Sequence, residues 1–292
     1  MSIEIKNLTH KYNAGMPFEK VALNNINLKI ETGEFVAIIG HTGSGKSTLI
    51  QMFNGLLKPT EGSVLIDGID INAKDTDRKS IRQKVGLVFQ YPEYQLFEMT
   101  VKDDVAYGPK NLGLETDEIN RRVKYALDAV GMNKSFYEKS PLEMSGGQKR
   151  RVAIAGILAM KPDVLILDEP TAGLDPKGRE ELFMQLQKMH KELGLTIVLI
   201  SHSMEDVARY AEKLFVLAHG EIKFRGTPRE VFKNKAELEQ IGLAVPQIRY
   251  IMSSLQDKGM NVSDDVLTVE EAAANIIEYL KSKRGEAKWL EI

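Results

Sequence analysis

The chain has 292 residues, roughly twice the length of about 150 that serves as a prior for one domain, and 43% of them are hydrophobic against 27% charged, which excludes global disorder. Thirty-nine Lys and Arg against 41 Asp and Glu leave a formal net charge of -2, so no global basic field advertises nucleic-acid binding, and the lack of cysteine excludes disulfides, zinc-thiolate sites and thiol nucleophiles. No run approaches the about 20 apolar residues of a membrane span, and the start Met1 to Lys6 has no signal-peptide pattern, so a cytoplasmic chain that does not cross a bilayer is expected.

Along the chain, Ile3, Ile5 and Leu8, then Leu23, Ile26, Leu28 and Ile30, alternate as strands around a turn-rich stretch from Asn13 to Lys20. Phe35 to Ile39 is continuously apolar and ends at Gly40, which predicts a buried strand, followed by a helix from about Lys46 to Leu57. Ser63 to Ile66 and Val85 to Phe89 read as strands. Residues Tyr91 to Met160 change character, with helical spacing around Val101 to Tyr107, Asp117 to Val130 and Gln148 to Met160, and this predicts a helical insert. Strands Val164 to Leu167, Leu195 to Ile200 and Leu214 to Leu217 then alternate with helices Gly178 to Leu193 and Met204 to Ala211, the rhythm of a parallel sheet covered by helices. Thr227 and Pro228 open a helix, and from about Asn234 to Ile292 only amphipathic helical patterns remain; Trp289 near the end either packs there or frays. The expectation is an α/β fold: a P-loop core with a mostly parallel sheet over residues 1–230, an antiparallel β subdomain, a helical insert at about 91–160, and a C-terminal helical extension over 231–292.

The segment Gly40-His41-Thr42-Gly43-Ser44-Gly45-Lys46-Ser47-Thr48 lies between a buried strand and a helix, the context of a phosphate-binding loop. Its glycines let backbone N–H groups turn toward phosphate oxygens at a positive helix end, Lys46 spans the β- and γ-phosphates, and Ser47 ligates Mg²⁺. Asp168 and Glu169 follow the buried strand at Val164, at the carboxyl end where ligands collect in open α/β sheets. Asp168 is expected to hold Mg²⁺, directly or through water, and Glu169 to act as general base toward the attacking water.

The type of NTPase is indicated by Met144-Ser145-Gly146-Gly147-Gln148, with which the chain resembles the ABC transporter ATPases. That family has Leu where Met144 stands, a near-isosteric exchange. The resemblance covers residue 3 to about 230 and implies that Ser145, Gly146, Gly147 and Gln148 face the γ-phosphate held by a second subunit's P-loop. It further implies that Gln90 senses Mg²⁺ and water and links to the membrane partner, that Ala172 to Asp175 crosses the dimer interface, and that His202 hydrogen-bonds the γ-phosphate. Tyr12 resembles the aromatic that stacks on adenine, although it lies farther before the P-loop than usual; an exposed-strand or core tyrosine is the alternative.

Within the family, Phe89 to Phe97, Val105 to Gly113 and Ser145 to Gly156 resemble the energy-coupling-factor importers of vitamins and the related cobalt and nickel importers. The insertion Gly15 to Glu19 is similar to one of the two non-identical ATPases of shared modules. The implied partners are a second, paralogous ATPase in a heterodimer, a transmembrane coupling subunit and a small substrate-binding membrane subunit, with the chain peripheral on the cytoplasmic face of the membrane and no nucleic acid bound. The acidic and aromatic side chains Glu93, Tyr94, Phe97, Glu98, Asp103 and Asp104 are expected to receive basic coupling helices through charge-assisted hydrogen bonds, a solvated acidic loop being the alternative. The resemblance also implies that the C-terminal extension contributes to ATPase pairing, the alternative being helices that only pack on the core. The alternatives are an ATPase of another importer class, or one acting on DNA or ribosomes; the latter need a long coiled coil or two fused ATPase domains, whereas this chain has one P-loop and no sustained heptads.

Overall fold

The computed structural model describes residues 1–287. Strands β1 (Ile3–Tyr12) and β2 (Lys20–Ile30) form an antiparallel hairpin whose inward residues, Ile3, Ile5, Leu8, Leu23, Ile26, Leu28 and Ile30, are all buried. Both strands extend beyond the apolar alternation, because backbone pairing continues through Lys11–Val21 to Tyr12–Lys20 without any need for burial. Strand β3 (Phe35–Ile39) is buried throughout and feeds helix α1 (Lys46–Phe53). The helix stops at Phe53 rather than Leu57, since Asn54 caps it and Gly55 turns into the left-handed region at φ +67°. Strands β4 (Glu61–Ile66) and β5 (Ile69–Asp70) complete a four-stranded antiparallel sheet in the order β2-β1-β4-β5.

Helix α2 (Arg78–Lys84), capped by the Asp77 side chain, precedes β6 (Val85–Val88). The expected helical stretch holds α3 (Val101–Asn111), which runs on through Pro109, α4 (Thr116–Ala129) and α5 (Gly146–Leu158). Then β7 (Val164–Asp168), α6 (Pro176–Leu193), β8 (Thr196–Ile200), α7 (Met204–Tyr210), β9 (Lys213–Ala218) and β10 (Glu221–Gly226) follow in turn. The second sheet has the order β10-β9-β3-β8-β7-β6 and is parallel except for the β9/β10 pair. Helix α8 (Pro228–Phe232) starts with a capping box between Thr227 and Glu230, and α9 (Lys235–Gln240), α10 (Gln247–Asp257) and α11 (Val269–Ala287) end the described chain. Trp289 lies outside the described residues.

The central strands bury both faces, so alternate residues enter different cores. Val164 and Ile166 of β7 join Val36 and Ile38 of β3 in one cluster with α1 and the antiparallel sheet. Leu165 and Leu167 pack instead with Val105, Leu127, Val152 and Leu186 from α3 to α6. A third cluster joins Ala37 and Ile39 of β3 to Phe232, Leu238 and Val245, so the first part of the C-terminal extension shares a core with the sheet, while Met252, Val262, Val266 and Ala272 form a small cluster of their own.

Candidate functional site

Four neighbouring strands, β3, β8, β7 and β6, run parallel, so their carboxyl ends share one edge of the sheet, and each is followed by part of the expected constellation. After β3 comes the loop Gly40 to Gly45. Gly40 has no space for a side chain, since a Cβ there would lie 2.2 Å from the Leu217 carbonyl oxygen; Gly45 takes φ +107°, and a Cβ on it would meet the Ala22 carbonyl at 2.6 Å. Loop backbone and neighbouring strands thus approach closely enough that only glycine serves. The loop is pinned by Ser44 N–H donating to His41 O at 3.1 Å and Gly220 N–H donating to Ser44 O at 3.1 Å. Lys46 is buried, and its ammonium donates to the carbonyls of Gly40 at 2.7 Å and His41 at 3.1 Å. Burial pushes its pKa down, opposed by the nearby Glu169 and Asp168 carboxylates. His41 Nδ1 lies 2.9 Å from the Thr42 carbonyl, which orients its ring beside His219.

Ser47 Oγ donates to Asp168 Oδ2 at 3.1 Å, joining the start of α1 to the end of β7. Burial raises the Asp168 carboxyl above its ordinary range, and the Ser47 hydrogen bond partly opposes this. A hydroxyl and a carboxylate oxygen in this position are the hard donors that suit Mg²⁺. Among the described residues no group of three or more His, Cys, Asp or Glu is placed to hold a metal. An ion at Ser47 and Asp168 would therefore complete its shell with phosphate and water oxygens, as Mg²⁺ commonly does.

Glu169 is the meeting point of the site. Its backbone sits in the left-handed region at φ +48°, with N–H donating to Ile200 O at 3.0 Å across to β8. Its Oε2 accepts from Gln90 Nε2 at 3.0 Å, and its Oε1 lies 2.8 Å from His202 Nε2. Gln90, Glu169 and His202, far apart in sequence, thus share one carboxylate, with Asp168, Ser47 and Lys46 beside it. Tyr12 is outside this group but touches α1: its hydroxyl lies 3.1 Å from Thr48 Oγ1, its ring meets His10 edge to face at 4.7 Å, and the residue is 39% exposed. The structure therefore joins Tyr12 to the P-loop helix.

Ser145, Gly146, Gly147 and Gln148 are not in this group. Ser145 caps α5 in a reciprocal box, its Oγ accepting from Gln148 N–H while its own N–H donates to Gln148 Oε1 at 2.9 Å. This occupies the Gln148 amide oxygen, and the helix N-terminus lines a separate cleft of about 630 Å³, lined also by Tyr91, Tyr94, Leu174 and Lys177. Asp175, at the end of the Ala172 to Asp175 turn, accepts from Gly178 N–H at 2.8 Å and caps α6.

The acidic docking loop is corrected by the structure, because most of its carboxylates are occupied. Glu93 is paired with Arg150, Asp103 accepts from Thr100 Oγ1 at 2.7 Å and from Lys110, and Asp104 is buried, accepting from the N–H groups of Phe97 and Glu98 at 3.2 Å each. The large side chains the loop exposes are Tyr94, Phe97 and Met99, beside an exposed Gln95 and the partly exposed Asp103. Phe97 and Tyr107 meet edge to face at 4.9 Å and border a groove of about 620 Å³ floored by Leu96, Gly108, Ile157 and Met160. The aromatic residues of the loop were legible in the sequence, but the internal hydrogen bonds of its acids were not.

The ABC transporter family matches residues 23–172. The energy-coupling factor transporter ATP-binding protein EcfA2 of Clostridium perfringens is 56% identical over 283 residues, which span 97% of this chain and 99% of that protein. Its namesake in Clostridioides difficile is 54% identical over 285 residues, with coverage of 97% and 99%. Among solved structures, cbiO1 of Clostridium perfringens, described as part of the ABC transporter complex cbiONQ, superposes with a TM-score of 0.74 at 42% identity, over 86% of this chain and 98% of that one. The ATP-binding cassette MJ0796, solved as a dimer in a post-hydrolysis state bound to ADP and Pi, gives 0.68 at 35% identity, over 77% and 98%.

Proposed function

This chain belongs to the ABC transporter family, and on that premise we propose that it is the ATP-hydrolysing subunit of an energy-coupling-factor importer that takes up a vitamin or a metal-ion micronutrient. The observation that carries the ATPase-pair part of the reading is the division of the site: the P-loop, the carboxylates, Gln90 and His202 converge, whereas the Ser145 helix end opens into a different cleft. A helix N-terminus is an anion site. In this reading a nucleotide site is completed by the Ser145 end of a second ATPase, a paralogue in a heterodimer, which is in keeping with the likeness to an energy-coupling factor ATP-binding protein.

In this reading the adenine lies against Tyr12, the phosphates lie along the backbone of His41 to Lys46, and Thr48 keeps Tyr12 against the helix. Lys46 exchanges its two carbonyl partners for phosphate oxygens. Ser47, Asp168 and Gln90 would hold Mg²⁺, which offsets charge on the β- and γ-phosphates. Glu169, already oriented by two neighbours, takes the proton of the attacking water, while His202 holds that carboxylate and reaches the γ-phosphate. Residues 1–230 serve as the nucleotide-binding unit, and 231–292 as an extension that helps pair the ATPases, for which Ile251, Val269, Ile277 and Leu280 offer exposed apolar contacts.

No helix among the described residues is long and apolar enough to cross a membrane. Transport then requires separate membrane subunits, with this chain docked on the cytoplasmic face. The groove between Phe97 and Met160 would receive a coupling helix chiefly by apolar contact. Mass spectrometry of the intact complex purified through this subunit tests the reading. A second ATPase with two hydrophobic membrane subunits is expected; co-purified ribosomes or nucleic acid without membrane subunits would overturn it.

A further inference from the structure

Arg150 has an arrangement that the roles above leave unused. It follows the Ser145 cap by little more than one turn of α5 and is only 2% exposed. Its guanidinium is committed on all sides: Nη2 donates to Glu93 Oε1 at 2.9 Å, Nε and Nη2 each approach Glu93 Oε2 at 3.2 Å, and Nη1 donates to the Pro170 carbonyl at 2.6 Å. Glu93 lies in the turn after Gln90, and Pro170 directly follows Glu169. Each of these turns contains a non-glycine residue in the left-handed region, Tyr91 at φ +54° and Glu169 at φ +48°. Such backbones are unfavourable and persist only where the surroundings fix them.

We propose that Arg150 is a positioning residue for hydrolysis, clamping the turn after Gln90 to the turn after Glu169 so that displacement of the helical region is transmitted to the Glu169 carboxylate. The direct link between the two turns, Gln90 to Glu169 at 3.0 Å, involves an exposed glutamine, where water competes. The Arg150 bridge is buried, where a charge-assisted hydrogen bond is stronger and stiffer. The bond from Nη1 to the Pro170 carbonyl carries the Glu93–Arg150 pair across to the backbone beside Glu169, so one guanidinium spans both turns. Because Arg150 shares α5 with Ser145, the clamp also joins the helix end that faces a second ATPase to the base of this chain's own site. This inference rests on Glu169 being the base.

The test uses the full chain in its purified complex, comparing Arg150→Lys with the paired variant Arg150→Met/Glu93→Leu. Removing one partner alone would strand a buried charge, whereas replacing both by apolar groups of similar volume is often neutral for folding. The paired variant leaves the buried Pro170 carbonyl without its donor, so it should melt within about 6 °C of the parent, and it should bind ATP within about twofold. Its kcat should fall by at least about tenfold at unchanged KM, and Arg150→Lys, which keeps one ionic contact, should fall between the two. A kcat within about twofold of the parent overturns the proposal, as does a loss of ATP affinity or melting temperature that accounts for the lost rate. Glu169→Gln measured alongside separates the two assignments. Parental turnover there sinks the base and the clamp together, while lost turnover there with parental turnover in the paired variant sinks the clamp alone.

Discussion

Glu169→Gln removes one charge and keeps the shape of the group on which the site converges. In the native chain the carboxylate accepts from Gln90 Nε2 at 3.0 Å and meets His202 Nε2 at 2.8 Å. In the variant the amide oxygen can still accept from Gln90, and the new NH₂ can donate to His202 Nε2 once the imidazole proton sits on Nδ1. Both contacts survive, and because the Glu169 side chain is 26% exposed, solvent screens part of the lost charge. Melting should therefore change by no more than about 2 °C. Ser47, Asp168 and Lys46 are untouched, so ATP affinity measured by calorimetry should stay within about twofold. The chemistry does not survive, since a neutral amide cannot take a proton from water. A positioned base contributes about 10²- to 10⁴-fold, equivalent to about 2.7–5.5 kcal/mol of barrier. Phosphate release by the assembled complex at saturating ATP should fall by at least that lower figure. A rate within about twofold of the parent, with binding and melting unchanged, would refute Glu169 as the base and require another group on that edge of the sheet.

Ser145→Arg places a bulky cation at the α5 terminus while leaving this chain's P-loop intact; ATP binding to the isolated subunit should persist, and ATP-driven closure and uptake by the full complex should be lost, so retained uptake would refute the divided site. Asp168→Asn probes the buried carboxyl, whose pKa burial raises. With the folded pKa above the unfolded one, the folded chain binds the proton more tightly, so stability falls as pH rises between the two values and ionisation remains a cost above the folded one. Asn escapes that cost. The variant should melt higher than the parent near about pH 8, with the gap closing as pH falls through the raised Asp168 value, while hydrolysis is lost; a gap that stays flat or reverses would refute burial as the dominant influence.

The fold was legible where burial is two-sided. Strands β3, β7 and β8 announce themselves as unbroken apolar runs because both faces are covered, and the structure buries every residue in them. What escaped the pattern has little apolar content to show. Helix α2 buries only Ile81, β5 has two residues, and β10 is an edge strand that alternates Glu221, Lys223 and Arg225 with half-buried positions. Their places are set by caps and ladder hydrogen bonds, which leave fainter marks on composition than core packing does.

The site divides along a similar line, between what is local and what requires topology. The P-loop glycines, Lys46, Ser47 and the Asp168-Glu169 pair are chemically readable because each motif needs only its own strand and turn. The convergence of Gln90 and His202 on one carboxylate is not, because it depends on β6 and β8 flanking β7 in the sheet. Arg150 was the hardest to read: in the run Lys149-Arg150-Arg151 it looks like one charge of a solvated face, and only its burial distinguishes it from neighbours that keep partial exposure. Glu93 misleads in the complementary way, reading as part of an acidic docking surface when its charge is neutralised inside the fold. In both cases the sequence displays the charge and the tertiary structure decides whether it faces a partner or the protein. Ser145 and the P-loop follow the same rule: both are written in this chain, but only the fold shows that the Ser145 end of α5 lines a cleft apart from Lys46, Ser47 and Asp168, and that separation is the observation from which the proposed pairing with a second ATPase is argued.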